Sequence, residues 1–291
     1  MPIKYLVQDI ETVPETELAG NWKAECAELE ASGKKDPFPP LVYQKVITIG
    51  MLTLDEDFLP VKHGCAAGGC AGGQTEKEMI TRWSSVVANG EANPLRMVDW
   101  YGRGFDVPVL QTRAFRYGIP MTWYFGLQPD NRGERSQWSK EYRDRYAGAH
   151  DDQADAWTNR GAFTKPHMAD LAMLMGLPGK VDGDGGKVYD QWKEYAHAKN
   201  VAEGKQPGPG TPEQYEAWRL KSVELAAKID TYCMQDVFQT AFVFQRLQFM
   251  AGKISIGHYS TAAAALLKVV EESDSILYGR IDVQAVLLKS V

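Results

Sequence analysis

No stretch of this 291-residue sequence stays apolar long enough to cross a bilayer, which takes about 20 consecutive apolar residues in a helix. The opening, MPIKYLVQDI, has no basic-then-apolar signal pattern and runs straight into a strand-like segment, so a cytoplasmic location is expected. Cysteine is scarce. Cys26, Cys65, Cys70 and Cys233 are too few for a disulfide framework in a chain this long. Cys65 and Cys70 lie with His63 in HGCAAGGCAGG, but the ligands are few and the spacing is not a usual zinc pattern, which favours a Gly-rich loop. Basic charge is also in deficit: 32 Lys and Arg against 38 Asp and Glu give a formal net charge of -6. That argues against a long phosphate-tracking surface, but leaves room for a local site that handles phosphates through bound metal ions. There is no internal repeat and no clean domain boundary.

With 44% apolar residues, the chain is an ordinary globular sequence able to bury a large core. IKYLVQDI reads as a first strand, and the polar stretch from Glu15 to Pro40 as a helix and loop. VITIGMLTL and FLPVKH read as two strands joined by a turn at DEDF. TEKEMITRWSSVVANG reads as a helix, with a capping box at Thr75 and Glu78 and a stop at Gly90. LRMVDWYG is a further short strand, and FDVPVLQTRAFRYGIP a helix ended by Gly118 and Pro120. HMADLAMLMGLPGK predicts a short helix and its exit, and GKQPGPGTP an extended insert. The segment from Pro212 to Met250 fits one long helix or two, and STAAAALLKVVEES a further helix before an ending with little signal. The alternation of strands and helices is a mixed α/β pattern. We expect one domain over residues 1–250, with 251–291 a helical extension packed on it.

Three places carry chemistry. Asp9 and Glu11 sit one residue apart at the end of the first strand, so they share a face. Asp106, in YGRGFDVP, stands at a strand-to-helix junction, where an N-cap is the plain alternative. Tyr232 and Asp236, in YCMQD, are four residues apart, hence on one face of a helix. Taken singly, each fits solvated surface, a cap or an ion-pair partner. Together, four converging carboxylates would repel one another and raise their pKa values unless cations neutralise them. Hard oxygen donors suit Mg²⁺ or Mn²⁺, and two such ions about 3.5–4 Å apart clamp an in-line phosphoryl displacement.

DIET, the later FD and the late YxxxD resemble the three exonuclease motifs of the DEDD superfamily in its tyrosine-bearing branch. The likeness is strongest to the predicted 3′–5′ exonuclease family related to the proofreading domains of family-B DNA polymerases. FPPLVYQKVITIGML, YGRGFDVPVLQTRAFRYGIP, YAGAHDDQADAWTNRGAF and MGLPGKVDGDGGKV extend the resemblance over roughly Ile3 to Met250. It implies an RNase H-like fold, a mixed five-stranded sheet flanked by helices. It also implies a two-metal 3′–5′ exonuclease releasing nucleoside 5′-monophosphates from single-stranded or frayed DNA 3′ ends. By resemblance, Asp9 bridges both Mg²⁺ or Mn²⁺ ions, Glu11 and Asp236 hold the ion that activates water, Asp106 holds the second, and Tyr232 orients the attacking water. Thr12, Tyr101 and Phe105 are candidate substrate contacts. RNA in place of DNA, or a non-catalytic nucleic-acid-binding module, are the alternatives.

The second motif of that family commonly carries an Asn where this chain has Tyr101, which offers a ring for base stacking or is simply a packed strand-end tyrosine. His150, Asp152 and Asp155 are expected to shape the cleft or start a helix rather than to bind metal. VDGDGGK lacks the closing Glu of a calcium loop, and GLPGKV lacks the rest of a P-loop. Arg132, Arg135, Arg143 and Arg145, interleaved with Trp138, Tyr142 and Tyr146, line either a single-strand path or a solvated surface.

Overall fold

The protein is described here from a computed structural model covering residues 2–15, 31, 39–89, 94–125, 142–146, 148–181, 185–206 and 210–289. Strands β1 (Ile3–Pro14), β2 (Gln44–Asp55), β3 (Pro60–Cys65), β4 (Arg96–Asp99) and β5 (His150–Asp152) form one sheet in the order β3-β2-β1-β4-β5. β1 pairs antiparallel with β2, and β2 with β3, while β1–β4 and β4–β5 are parallel. The described helices are α1 (Glu76–Ala88), α2 (Asp106–Tyr117), α3 (Thr122–Phe125), α4 (Gln153–Trp157), α5 (Met168–Leu174), α6 (Gly185–Ala202), α7 (Pro212–Met250), α8 (Ile256–Ser273), α9 (Ser275–Tyr278) and α10 (Val283–Val286). The fold is α/β with a mixed five-stranded sheet flanked by helices, the RNase H-like architecture expected from the resemblance.

The period-2 alternation of β1 sends its side chains to two different cores. Tyr5 and Val7 pack with Leu52, Phe238, Phe242 and Leu266 under α7 and α8. Leu6 and Ile10 pack with Ile49, Ile80, Trp83 and Leu110 under α1 and α2. Both faces of β1 are therefore covered. On the α1–α2 side, a buried ion network ties the layers together. Arg113, 1% exposed, bonds Glu76 and Glu15, while Glu76 also accepts the Val46 amide at 2.7 Å.

α1 starts on the capping box expected from Thr75 and Glu78. It ends with Asn89 in the left-handed region, while Gly90 lies outside the described residues. α2 ends on Gly118 at φ 64°, as read from the sequence. α7 is one unbroken helix of 39 residues, entered through a second capping box at Thr211 and Gln214 with Pro212 at its first position. The alternative of two helices is thereby corrected. The ending that carried little signal forms α9 and α10. Tyr259 accepts a hydrogen bond from Arg246 and donates one to the carbonyl of Val286, and Ala262, Leu266 and Val270 are fully buried. The helix expected within 15–40, and the candidate residues Arg132, Arg135 and Trp138, lie outside the described residues.

Candidate active site

Continuing the alternation of β1, Asp9 and Glu11 extend the row of Tyr5 and Val7 and turn toward α7. Opposite Asp9 on β2 stands Gly50. A Cβ there would lie 2.8 Å from Val237 Cγ2 and 3.0 Å from Cys233 Sγ. Glycine at this register position lets α7 settle directly on the sheet. The result is visible in the contacts: the Gly50 amide donates to Cys233 Sγ at 3.2 Å, and that sulfur lies 3.8 Å from Asp9 Oδ2. Ligand-type atoms of Asp9, Glu11 and Cys233 all fall within 4.8 Å of one another.

α7 brings Asp236 to Asp9 and Glu11, and carries Tyr232 one turn before it. Asp106 arrives from the other side, as the first residue of α2. Its carboxylate accepts its own amide and that of Ile10 on β1. Phe105, not Asp106, is the residue flanking the helix, so the N-cap alternative for Asp106 is replaced by a first-turn position.

The electrostatics show that these four carboxylates share one environment. Asp9 is pushed well above the usual carboxylate range, first by burial and then by Asp106, Asp236 and Glu11. Glu11 is raised by burial and Asp236, with Lys180 opposing. Asp106 is raised by burial and then by Asp99. Asp236 is pushed up to about 6 by burial, again with Lys180 opposing. A cluster of four raised acids with one opposing lysine is short of positive charge. Hard divalent cations fit that deficit and that donor set.

Most of the chain, residues 36–203 and 213–280, matches the family model described as a predicted 3′–5′ exonuclease related to the exonuclease domain of PolB. The chain belongs to that family. No curated protein matches it. The match with this PolB-related exonuclease family begins after β1, so Asp9 and Glu11 lie outside it, and it runs on past Met250 into α8 and α9. The extent read from the sequence, Ile3 to Met250, is shifted accordingly.

Around the exonuclease cluster, the remaining sequence candidates divide. Tyr232 is 9% exposed and packs with Val188, Leu225 and Ile229, its ring 6.0 Å from Lys180 Nζ. Thr12 donates its hydroxyl to Gln44 Oε1 at 2.9 Å, so its side chain is engaged with β2. Phe105 is partly buried against the α1–α2 core. The reading of Tyr101 as a packed strand-end tyrosine is corrected. β4 ends at Asp99, and Tyr101 sits beyond it at φ 68°, 44% exposed, with Lys165 Nζ 3.7 Å from its ring centre. Asp152 is the N-cap of α4 and also accepts the amides of Tyr101 and Arg103, so it fixes the turn that leads to Asp106.

His150 is buried against Asp99 at 2.8 Å, and Asp99 in turn accepts from Gln8, whose carbonyl takes the Trp83 indole. Cys65 and Cys70 spend their contacts on Asp230. The Cys65 thiol faces its carbonyl, the amides of Cys70 and Ala71 donate to its carboxylate, and burial pushes both thiols up to about 12.

Two site residues escaped the sequence reading, Lys180 and Lys165. Lys180 was visible in GLPGK, but no local pattern says that this loop faces Glu11 and Asp236. Lys165, in the irregular segment before α5, carries no motif at all.

Proposed function

We propose that this protein is a two-metal-ion 3′–5′ exonuclease that releases nucleoside 5′-monophosphates from single-stranded or frayed DNA 3′ ends. The observation that carries the reading is the gathering of buried carboxylates at one place: Asp9 and Glu11 within ligand distance of each other on β1, with Asp106 and Asp236 close enough to raise Asp9 further and Lys180 the one opposing charge. Mg²⁺ or Mn²⁺ held there would neutralise the acids, lower the pKa of a coordinated water and stabilise the leaving 3′ oxygen.

The chain's own groups take the remaining roles. Asp9, Glu11 and Asp236 face one another from β1 and α7 and would hold one ion, with Asp9 shared. Asp106 would hold the second from the α2 side. Tyr232 is a poor base at neutral pH, because a phenol ionises near 10, so its part is to position the attacking water. Lys180 sits on the Glu11–Asp236 side, where its ammonium would face the non-bridging oxygens of the scissile phosphate. A phosphate reaching carboxylates buried between β1, α2 and α7 would need its terminal nucleotide freed from the duplex, which favours single strands.

The test is digestion of 3′- and 5′-labelled DNA oligonucleotides with Mg²⁺ or Mn²⁺. Stepwise loss of mononucleotides from the 3′ end is expected, abolished by EDTA and by Asp9→Ala. Activity surviving either treatment would sink the mechanism. A matched RNA oligomer run in parallel decides the sugar.

A further inference from the structure

Along the outer edge of β5, starting at Tyr101, lie two adjoining hollows of about 370 and 350 Å³. Arg103, Arg145, His150, Asp152 and Asp155 line both, so the hollows form one trough. It begins next to Asp106, since Val107, the following residue of α2, lines the first hollow together with Tyr101. It runs along the sheet edge to Lys253, just beyond α7.

The acids of the trough are occupied. Asp152 holds the amides of Tyr101, Arg103, Ala154 and Asp155. Asp155 is held by the Arg145 guanidinium at 2.9 and 2.5 Å. Burial raises Asp151, which also accepts from Gln153.

Several of its cations are not taken up by acids. Arg143 lies over Phe125 at 5.5 Å, and Arg160 over Tyr146 at 4.2 Å. Neither has a carboxylate partner among the described residues. At the same end, Lys165 rests on the ring of Tyr101, which lines the first hollow. Tyr146 is 71% exposed, and Arg160 is held in the left-handed region at φ 61° between Asn159 and Gly161, both also at positive φ. A positive φ at a non-glycine residue is costly, so this turn spends local strain to present Arg160.

A charged groove bordered by rings is the chemistry of single-stranded nucleic acid, in which phosphates meet guanidinium groups and bases stack on aromatic or guanidinium planes. We propose that this trough carries the single strand 5′ of the scissile bond, with Arg143 and Arg160 on its phosphates and Tyr146 beneath a base. The inference rests on the exonuclease reading of the site. The net charge of -6 fits a short local track of this kind rather than a long footprint.

The experiment compares two substrates on the full chain with Mn²⁺. One is the p-nitrophenyl ester of thymidine 5′-monophosphate, which fills only the cleft. The other is a single-stranded oligonucleotide of about 12 nucleotides, within the range that single-strand grooves hold. In Arg160→Ala and Arg143→Ala, the ratio of oligonucleotide to ester kcat/KM should fall about tenfold. The slope of log kcat/KM against log salt should become shallower by about 0.7 for each charge removed. Arg160→Lys should keep the slope. Unchanged ratio and slope in both alanine variants would overturn the trough.

If the wild type hydrolyses neither substrate, it is the exonuclease reading that fails. Metal-free anisotropy with a labelled oligomer then judges the trough alone. Binding weakened in Arg160→Ala supports it, and absent or unaltered binding overturns it.

Discussion

At the scale of single residues, chemistry and folding oppose each other. Asp9, Glu11, Asp106 and Asp236 are placed where burial and mutual repulsion disfavour their charged forms. Asp9→Asn should abolish nuclease activity while leaving the fold intact, since it removes a donor and a repulsion together; gel digestion and a melting curve read the two effects separately. Tyr232→Phe keeps the packed ring and loses only the hydroxyl. Its kcat should fall about 10- to 100-fold, the value of one hydrogen bond to a polarised water, with KM little changed. The acids also make the metal-free protein sensitive to pH in an unusual direction. Burial pushes Asp236 up to about 6, above the usual carboxylate range. Its stabilising contribution is complete below about 4 and is lost as pH rises through about 6. The apo melting temperature should therefore drop between pH 4 and 7, less so in Asp236→Asn, and Mn²⁺ should restore it at pH 7. Apparent Mn²⁺ affinity should run the other way and weaken as pH falls through 6, because protons and metal compete for the same oxygens. An apo melting temperature that rises from pH 4 to 7 would contradict this account.

Among elements, the decisive contact is α7 lying on β1 and β2 across Gly50. Any side chain there meets Val237 and Cys233 at 3.0 Å or less. Gly50→Ala should destabilise the protein by about 1–3 kcal/mol through overpacking. Its activity should fall by more than the lost stability explains, because the helix that retreats carries Asp236 and Tyr232. Activity of the folded fraction equal to wild type would show that the helix adjusts without moving the site. The turn between β4 and α2 is a second such joint. Asp152 on the neighbouring strand clamps it, and its backbone sets both Tyr101 and the start of the helix that presents Asp106.

On the scale of the whole molecule, the chain beyond Met250 belongs to the main core. Tyr259, Ala262, Leu266 and Val270 are fully buried under the sheet, and Arg246 on α7 reaches the carbonyls of Ala285 and Val286. Burying one large apolar side chain contributes about 1.5–3 kcal/mol, against a total stability of about 5–15 kcal/mol for a domain. A chain truncated after Gly252 should therefore lose its cooperative thermal transition and bind a hydrophobic dye. A sharp transition near the full-length melting temperature would show that α8 is dispensable.

The sequence by itself determined what local rules can write. Alternating residues put Asp9 and Glu11 on one face of β1, a four-residue interval aligned Tyr232 with Asp236, and capping residues fixed the starts of α1 and α7. The repulsion among the acids was foreseeable once they were assumed to converge. Only the tertiary structure decided that they do, because convergence depends on which face of α7 meets β1, and that follows from a glycine on a third element. It also decided that Tyr101 is displayed rather than packed, that Lys180 and Lys165 border the cluster, and that α8 completes the core. Each of these is a contact between residues tens to hundreds of positions apart, where no periodicity or spacing rule reaches.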